Sequence, residues 1–376
     1  MAIKDLHEHP FDEGTLTKLE IFEAYTKEWL PVFVMSPYKH ICIFDLFAGP
    51  GLDTKRVAGS PIRILRQITG MLDAINVRGK RIYLWLNEFE QGKYESLLNN
   101  CKLFIESNDL LKTAVEKEIV KIKYTNLDFA QLFPEIIGII KKYPSLVFLD
   151  QNGIKFLSDQ YFHELVTTST VDFLYFVSSS YFIRFGERPE FSMNVHIDMQ
   201  RAKDNPYRFI HRSLLEQLRE KIPADSNMKL YPFSIKKGPN IYGIIFGASH
   251  PLAVDKFLNV AWKRNSINGE ANFDIDEDLT KSQLQLFEAK SPTKKEAFAA
   301  LLRDKILEQE LQTNEDVYLF SLDQGHIPSH AADEIKLMKN EGLINYDSSS
   351  PLVSYDQIFN KQRILKYNLT TKHENH

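Results

Sequence analysis

A chain of 376 residues, 43% hydrophobic and 26% charged, is long enough for two domains with real cores, and none of its apolar runs is long enough to span a membrane. Its net charge of −4 supplies no overall basic field, so any nucleic-acid contact has to come from a local patch. Two scattered cysteines, Cys42 and Cys101, make neither a disulfide framework nor a zinc site, and the N-terminus lacks an apolar secretory region; both points fit a cytoplasmic protein.

Apolar residues at helical spacing predict a first helix over Thr17–Val34, with Pro31 and Pro37 limiting its end. A short apolar run, His40–Phe44, then closes on Asp45 and a glycine turn. Helix Pro61–Leu72 follows, and the alternation repeats: strand Arg81–Leu86, helix Gly92–Phe104, strand Ile119–Tyr124, helix Phe129–Lys142, strand Leu146–Leu149, helix Ser158–Thr167, strand Asp172–Val177. Strands alternating with helices imply a mostly parallel sheet with right-handed crossovers. After helix Pro206–Lys221, the runs Lys229–Ile235 and Ile241–Phe246 flank the turn sequence KKGPN and predict a hairpin, so one strand must run antiparallel. The expected fold is α/β: a Rossmann-like, seven-stranded sheet of methyltransferase type with a terminal antiparallel hairpin, over residues 1–265.

Residues 266–291 are polar with an acidic run and read as a linker. From 292 to 376 the pattern predicts helices Lys294–Leu311, Glu315–Asp323 and Ser329–Glu341, then short strands Leu343–Tyr346, Leu352–Tyr355 and Arg363–Asn368. Three helices and a β-wing describe a winged-helix domain. Residues 292–370 carry nine Lys and Arg against twelve Asp and Glu, whereas a groove-reading helix is basic. A protein contact, or a homodimer through this domain, is favoured over reading of DNA or RNA.

The strongest chemical signal is the run from Cys42 to Gly51, in which an apolar strand ends at Asp45 and turns through Phe47, Ala48, Gly49, Pro50 and Gly51. Glycines at the carboxyl end of a strand let backbone approach a ligand closely. Pro50 removes an N–H and the spacing is not that of a pyrophosphate-binding loop. The pattern D-x-F-A-G-x-G resembles the first motif of nucleic-acid methyltransferases, whose turn cradles the methionine part of S-adenosylmethionine. Glu88, ending the second strand, is placed to accept from ribose hydroxyls, with Glu90 as its rival. Asn126 or Asp128, after the third strand, is placed for the adenine amino group, though Asp128 equally suits a helix N-cap. Asp150 and Asn152, in the run FLDQNG after the fourth strand, are the candidates for orienting an accepting amine, in a loop that lacks the prolines and aromatic of D-P-P-Y. Asp150 also reads as a plain turn residue.

Beyond the fifth strand, the Ser178-Ser179-Ser180-Tyr181 run falls at the same sheet edge. The segment 184–221 holds eight Lys and Arg against six acids, interleaved with Tyr207, Phe209 and His211; a salt-bridged helix is favoured over a phosphate-facing patch. His250 reads as structural.

These pieces together resemble the three-Cys-motif partner (TcmP) family: Lys18-Leu19-Glu20 with Tyr25, residues 45–51, Gly59-Ser60-Pro61, Glu88, residues 148–153, Arg184-Phe185 after the serine run, residues 247–257, and the winged-helix tail. The family carries D-P-x-G where this chain has Asp150-Gln151-Asn152-Gly153. The resemblance implies a methyltransferase-like fold, and a partner that is a radical-SAM-like protein with three cysteines, often near mobile or antiviral genes. The expected activity is S-adenosylmethionine-dependent methylation of a nucleic acid base or nucleotide. A non-catalytic partner subunit is the alternative.

Overall fold

The computed structural model describes residues 10–151, 158–178, 198, 200–201, 207–282 and 291–370. The chain divides into two compact units, Met1–Ala253 and Val254–His376. The division falls before the boundary at 265 expected from the pattern. Asn268, Ala271 and Ile275, within the segment read as a linker, are buried.

The first unit is built on one sheet. Its strands are β1 (His40–Asp45), β2 (Arg81–Asn87), β3 (Val120–Thr125), β4 (Ser145–Leu149), β5 (Val171–Ser178), β6 (Lys229–Lys237) and β7 (Asn240–Ala248), in spatial order β3-β2-β1-β4-β5-β7-β6. The first five are parallel, and β7 pairs antiparallel with both β5 and β6. This is the sheet order of the class I methyltransferase fold. Between β1 and β4 the order reverses, and in open α/β sheets ligands bind beyond the carboxyl ends at such a point.

Alternation along the strands sends side chains to two covered faces. Cys42, Phe44, Val147, Leu149, Phe173 and Tyr175 pack in one core with α6 (Phe129–Ile140), α7 (Asp159–Val166) and α8 (Ile210–Glu220). On the opposite face, α1 (Glu13–Met35) crosses the sheet and packs against α2 (Ser60–Gly70). Phe22 stacks on Phe148 with ring centroids 4.0 Å apart. Pro31 sits inside α1 and does not end it; the helix runs on to Met35, with only the bond to the carbonyl four residues back forgone. The remaining helices here are α3 (Leu72–Val77), α4 (Gln91–Glu106) and α5 (Asp109–Glu116). The last was not anticipated from periodicity; its short length hides a period, but Asn108 caps it by accepting from the Leu111 amide.

α9 (Pro251–Arg264) carries the chain into the second unit, which contains α10 (Asp278–Ser282), α11 (Lys294–Leu307), α12 (Asn314–Asp323), α13 (Pro328–Asn340), β8 (Ile344–Asn345) and β9 (Asn368–Leu369). Thr293 and Thr313 form capping boxes with Glu296 and Asp316. The wing is the short antiparallel pair β8–β9. The run Leu352–Tyr355, expected as a strand, is not one: Leu352 has φ +57° and a helical turn at Asp356–Asn360 follows.

Candidate functional site

β1 delivers Asp45 to the switch point. Asp45 is fully buried, and neither carboxylate oxygen has a hydrogen-bond partner of normal geometry. Burial pushes its carboxyl up to about 7; hydrogen bonding from the Ser60 hydroxyl and the Phe47 amide favours the charged form, and the charges of Asp150 and Glu88 oppose it. An unpartnered buried carboxylate is rare because it forfeits its hydration without replacement.

The turn after Asp45 is tied to β2. The Ala48 amide donates to the Asn87 carbonyl at 2.8 Å, and the Gly49 amide donates to Glu88 Oε2 at 2.8 Å. Gly49 and Gly51 have φ +63° and +82°, values that favour glycine. Gly51 accepts from the Gly59 amide at 2.8 Å, which folds the following loop back to the start of α2. Phe47 turns into the core and stacks on Phe129 at 5.4 Å, so its contribution to the turn is made by backbone.

Glu88 faces this turn. Beyond Gly49, its Oε1 accepts from the Glu90 amide at 2.9 Å. Burial raises its pKa, with the Glu90 and Gly49 amides pulling the other way. Its rival Glu90 caps α4 by accepting from Gly92. Both amide hydrogens of Asn126 are spent, on the carbonyls of Glu88 at 2.7 Å and Phe89 at 2.8 Å. That leaves the Asn126 carbonyl oxygen as the group able to accept from a ligand amine. Asp128 caps α6, accepting from the Ala130 amide at 2.9 Å. The helix-cap alternative for Asp128 is therefore realised.

The structure adds three residues that the motifs did not single out as site groups. Buried Asn87 donates to the carbonyls of Leu46 (3.2 Å) and Leu127 (3.1 Å), and accepts from Thr125 Oγ1 (2.8 Å). It thus pins the carboxyl ends of β1, β2 and β3 together. Gln151, where the TcmP pattern has proline, is buried and donates to the Tyr175 hydroxyl at 2.6 Å. Lys18, from α1, forms an ion pair with Asp150. Asp150 is thereby held by a cation. Asn152, Ser179, Ser180, Tyr181, Arg184 and Arg188 lie outside the described residues.

Among the described residues, no group of three His, Cys, Asp or Glu side chains could hold a metal ion, and no helix is long and apolar enough to cross a membrane.

Comparison with known proteins bears first on the second unit. Residues 272–351 match the family model of the GMT-like wHTH domain. The expected winged helix is thus supported by both its elements and its sequence. No curated protein sequence matches the chain. Among solved structures it is similar to Trm1 from Pyrococcus horikoshii, determined in complex with S-adenosyl-L-methionine, with 12% identity, a TM-score of 0.37 and 66% of this chain covered. The match spans 59% of the length of that protein.

In α13 and around it, charges are paired within the unit. Arg303 binds both Glu334 and Glu341, Lys336 pairs with Asp333 at 3.2 Å, and Lys339 donates to the Tyr346 carbonyl at 2.9 Å.

Proposed function

We propose that the first unit binds S-adenosylmethionine at the carboxyl edge of its sheet and methylates a nucleic acid or nucleotide. The observation that carries this reading is Asp45, a fully buried carboxylate whose oxygens lack a hydrogen bond of normal geometry, at the mouth of a double-glycine turn. The ammonium of an amino-acid moiety is the kind of donor such a group lacks. Glu88 retains lone pairs for two ribose hydroxyls while its Gly49 bond fixes its direction. The Asn126 carbonyl oxygen would accept from the adenine amino group. When bound, the sulfonium supplies an activated methyl group; the chain supplies position and exclusion of water.

Isothermal titration with S-adenosylmethionine tests this. Binding to the native chain, lost in Asp45→Asn and reduced in Glu88→Ala, is the expected result. No binding to the native chain, or equal binding to all three proteins, refutes it.

The second unit fits a protein contact. The cations of α13 are already engaged, so the helix offers phosphate little, and a three-Cys-motif protein is the partner that the family resemblance suggests.

A further inference from the structure

Lys18 is placed by four anchors. Asp12 caps α1 and pairs with Lys237 of β6, while the Phe11 amide donates to Asp53 in the loop after β1 at 2.9 Å. Further along, Phe22 stacks on Phe148, and the Tyr25 hydroxyl donates to Asp172 near the start of β5 at 2.7 Å. Seven residues of helix separate Lys18 from Tyr25, about 10 Å of rise. α1 therefore runs from the carboxyl edge of the sheet toward its amino edge, and Lys18 is held at the functional end. Its side chain is 9% exposed, that of Asp150 18%. Besides Asp150, the Lys18 ammonium lies 4.4 Å from the centroid of the Phe176 ring.

In the proposed reaction the methyl acceptor would sit beyond the ends of β4 and β5, where this pair bears on which acceptor is tolerated. A neutral amine becomes cationic as it attacks a sulfonium. An amine also has a single lone pair, which a donating ammonium would occupy, whereas a hydroxyl oxygen has two, so that one can accept from Lys18 while the other attacks. A hydroxyl oxygen develops negative charge, which the same ammonium stabilises. One of its three donors faces Asp150, leaving others for the acceptor.

We infer that Lys18 and Asp150 form a catalytic dyad for an oxygen acceptor, a ribose 2′-hydroxyl of RNA, in place of the exocyclic amine of a base. The inference rests on the proposed S-adenosylmethionine-dependent reaction. Lys18 donates a hydrogen bond to the hydroxyl oxygen and remains an ammonium throughout. The hydroxyl proton passes to the Asp150 carboxylate as the oxygen takes the methyl group. The new O–C bond forms as the C–S bond breaks, its electron pair staying on the neutral thioether.

The test uses the full chain, methyl-tritiated S-adenosylmethionine and total RNA, with genomic DNA as a second acceptor. Alkali cleaves RNA wherever the 2′-hydroxyl is free, so a 2′-O-methyl group leaves labelled dinucleotides. The expected result is label in alkali-stable dinucleotides, reduced at least 100-fold in Lys18→Met and partly retained in Lys18→Arg. Cofactor affinity by titration should stay within about threefold of native in both variants. Melting of the ligand-free chain checks the pair itself: Lys18→Met and Asp150→Asn should each melt lower than the double variant, because each strands a buried polar partner. Label in mononucleotides or DNA, native rates in Lys18→Met, or bound cofactor with no labelled RNA overturns the dyad and leaves cofactor binding standing. Absence of cofactor binding by the native chain overturns both readings.

Discussion

Replacing Asp45 with Asn should stabilise the ligand-free chain, and more at pH 8 than at pH 5. A carboxyl raised from 3.8 to about 7 costs its charged form about 4 kcal/mol in the native state, at 1.36 kcal/mol per pKa unit. Because the native pKa is above the unfolded one, the native chain holds a proton that the unfolded chain has lost between those two values. Stability therefore falls as pH rises through this window and levels off above 7. At pH 5 less than half of the penalty has accrued and at pH 8 nearly all of it, a difference of about 2–3 kcal/mol. The Asn amide brings its own unpartnered donors, but that cost does not change with pH and cancels in the comparison. Asp172, raised to about 7 by burial against the Tyr25 donor, titrates in the same window but is present in both proteins. For a unit of this size, about 2–3 kcal/mol corresponds to a change of about 5–10 °C in the melting gap. Calorimetric melts of native and Asp45→Asn chains at the two pH values measure it. A gap that stays constant from pH 5 to pH 8 would show that Asp45 is not a buried, unpartnered carboxylate, and the argument for a cationic ligand group would go with it.

Gly51→Ala should cost about 1–2 kcal/mol by denaturant titration, all of it from the backbone. Its Cβ would meet Asn100 Cβ at an ordinary 3.6 Å, while φ stays at +82°. Gly269→Ala should lower the melting of the second unit by several degrees, since the new methyl would come within 2.4 Å of the Trp262 indole at φ +58°; unchanged melting would show that this packing is not native. Tyr25→Phe removes the donor at 2.7 Å from Asp172 and should cost about 1–3 kcal/mol. That loss should be larger at pH 8 than at pH 5, because the bond favours the charged carboxylate, and an equal loss at both would refute it.

The sheet was legible because each strand closes with a local signal. Asp45 and the glycines mark the end of β1, Glu88 that of β2, and KKGPN the hairpin between β6 and β7. The winged helix was legible in the same way, through Thr293, Thr313 and helical periods, while its wing was overcounted because apolar doublets such as Leu352-Val353 look like strands without being paired. What the sequence left hidden is pairing across long separations. Asn87 looks like an ordinary strand end, yet it joins three strand ends through bonds spanning 38 to 41 residues.

Lys18 is the sharper case. It lies 132 positions from Asp150 by sequence numbering, inside a helix whose apolar stripe accounts for its neighbours, and the family resemblance, which includes Lys18-Leu19-Glu20, gives it no role. Only the crossing of α1 over the sheet brings it to the carboxyl edge. That crossing changes the chemistry expected of the site. Read along the chain, Asp150 stands in an amine-methyltransferase position with its loop degraded. With Lys18 beside it, the departure from D-P-P-Y fits a site whose acceptor carries developing negative charge, since prolines that shape a pocket for a planar amine serve no purpose there. The same placement weighs against a purely structural subunit. A buried ion pair seldom stabilises a fold more than apolar residues of the same volume would, and a scaffold relieved of chemistry would have no need to keep one at this sheet edge.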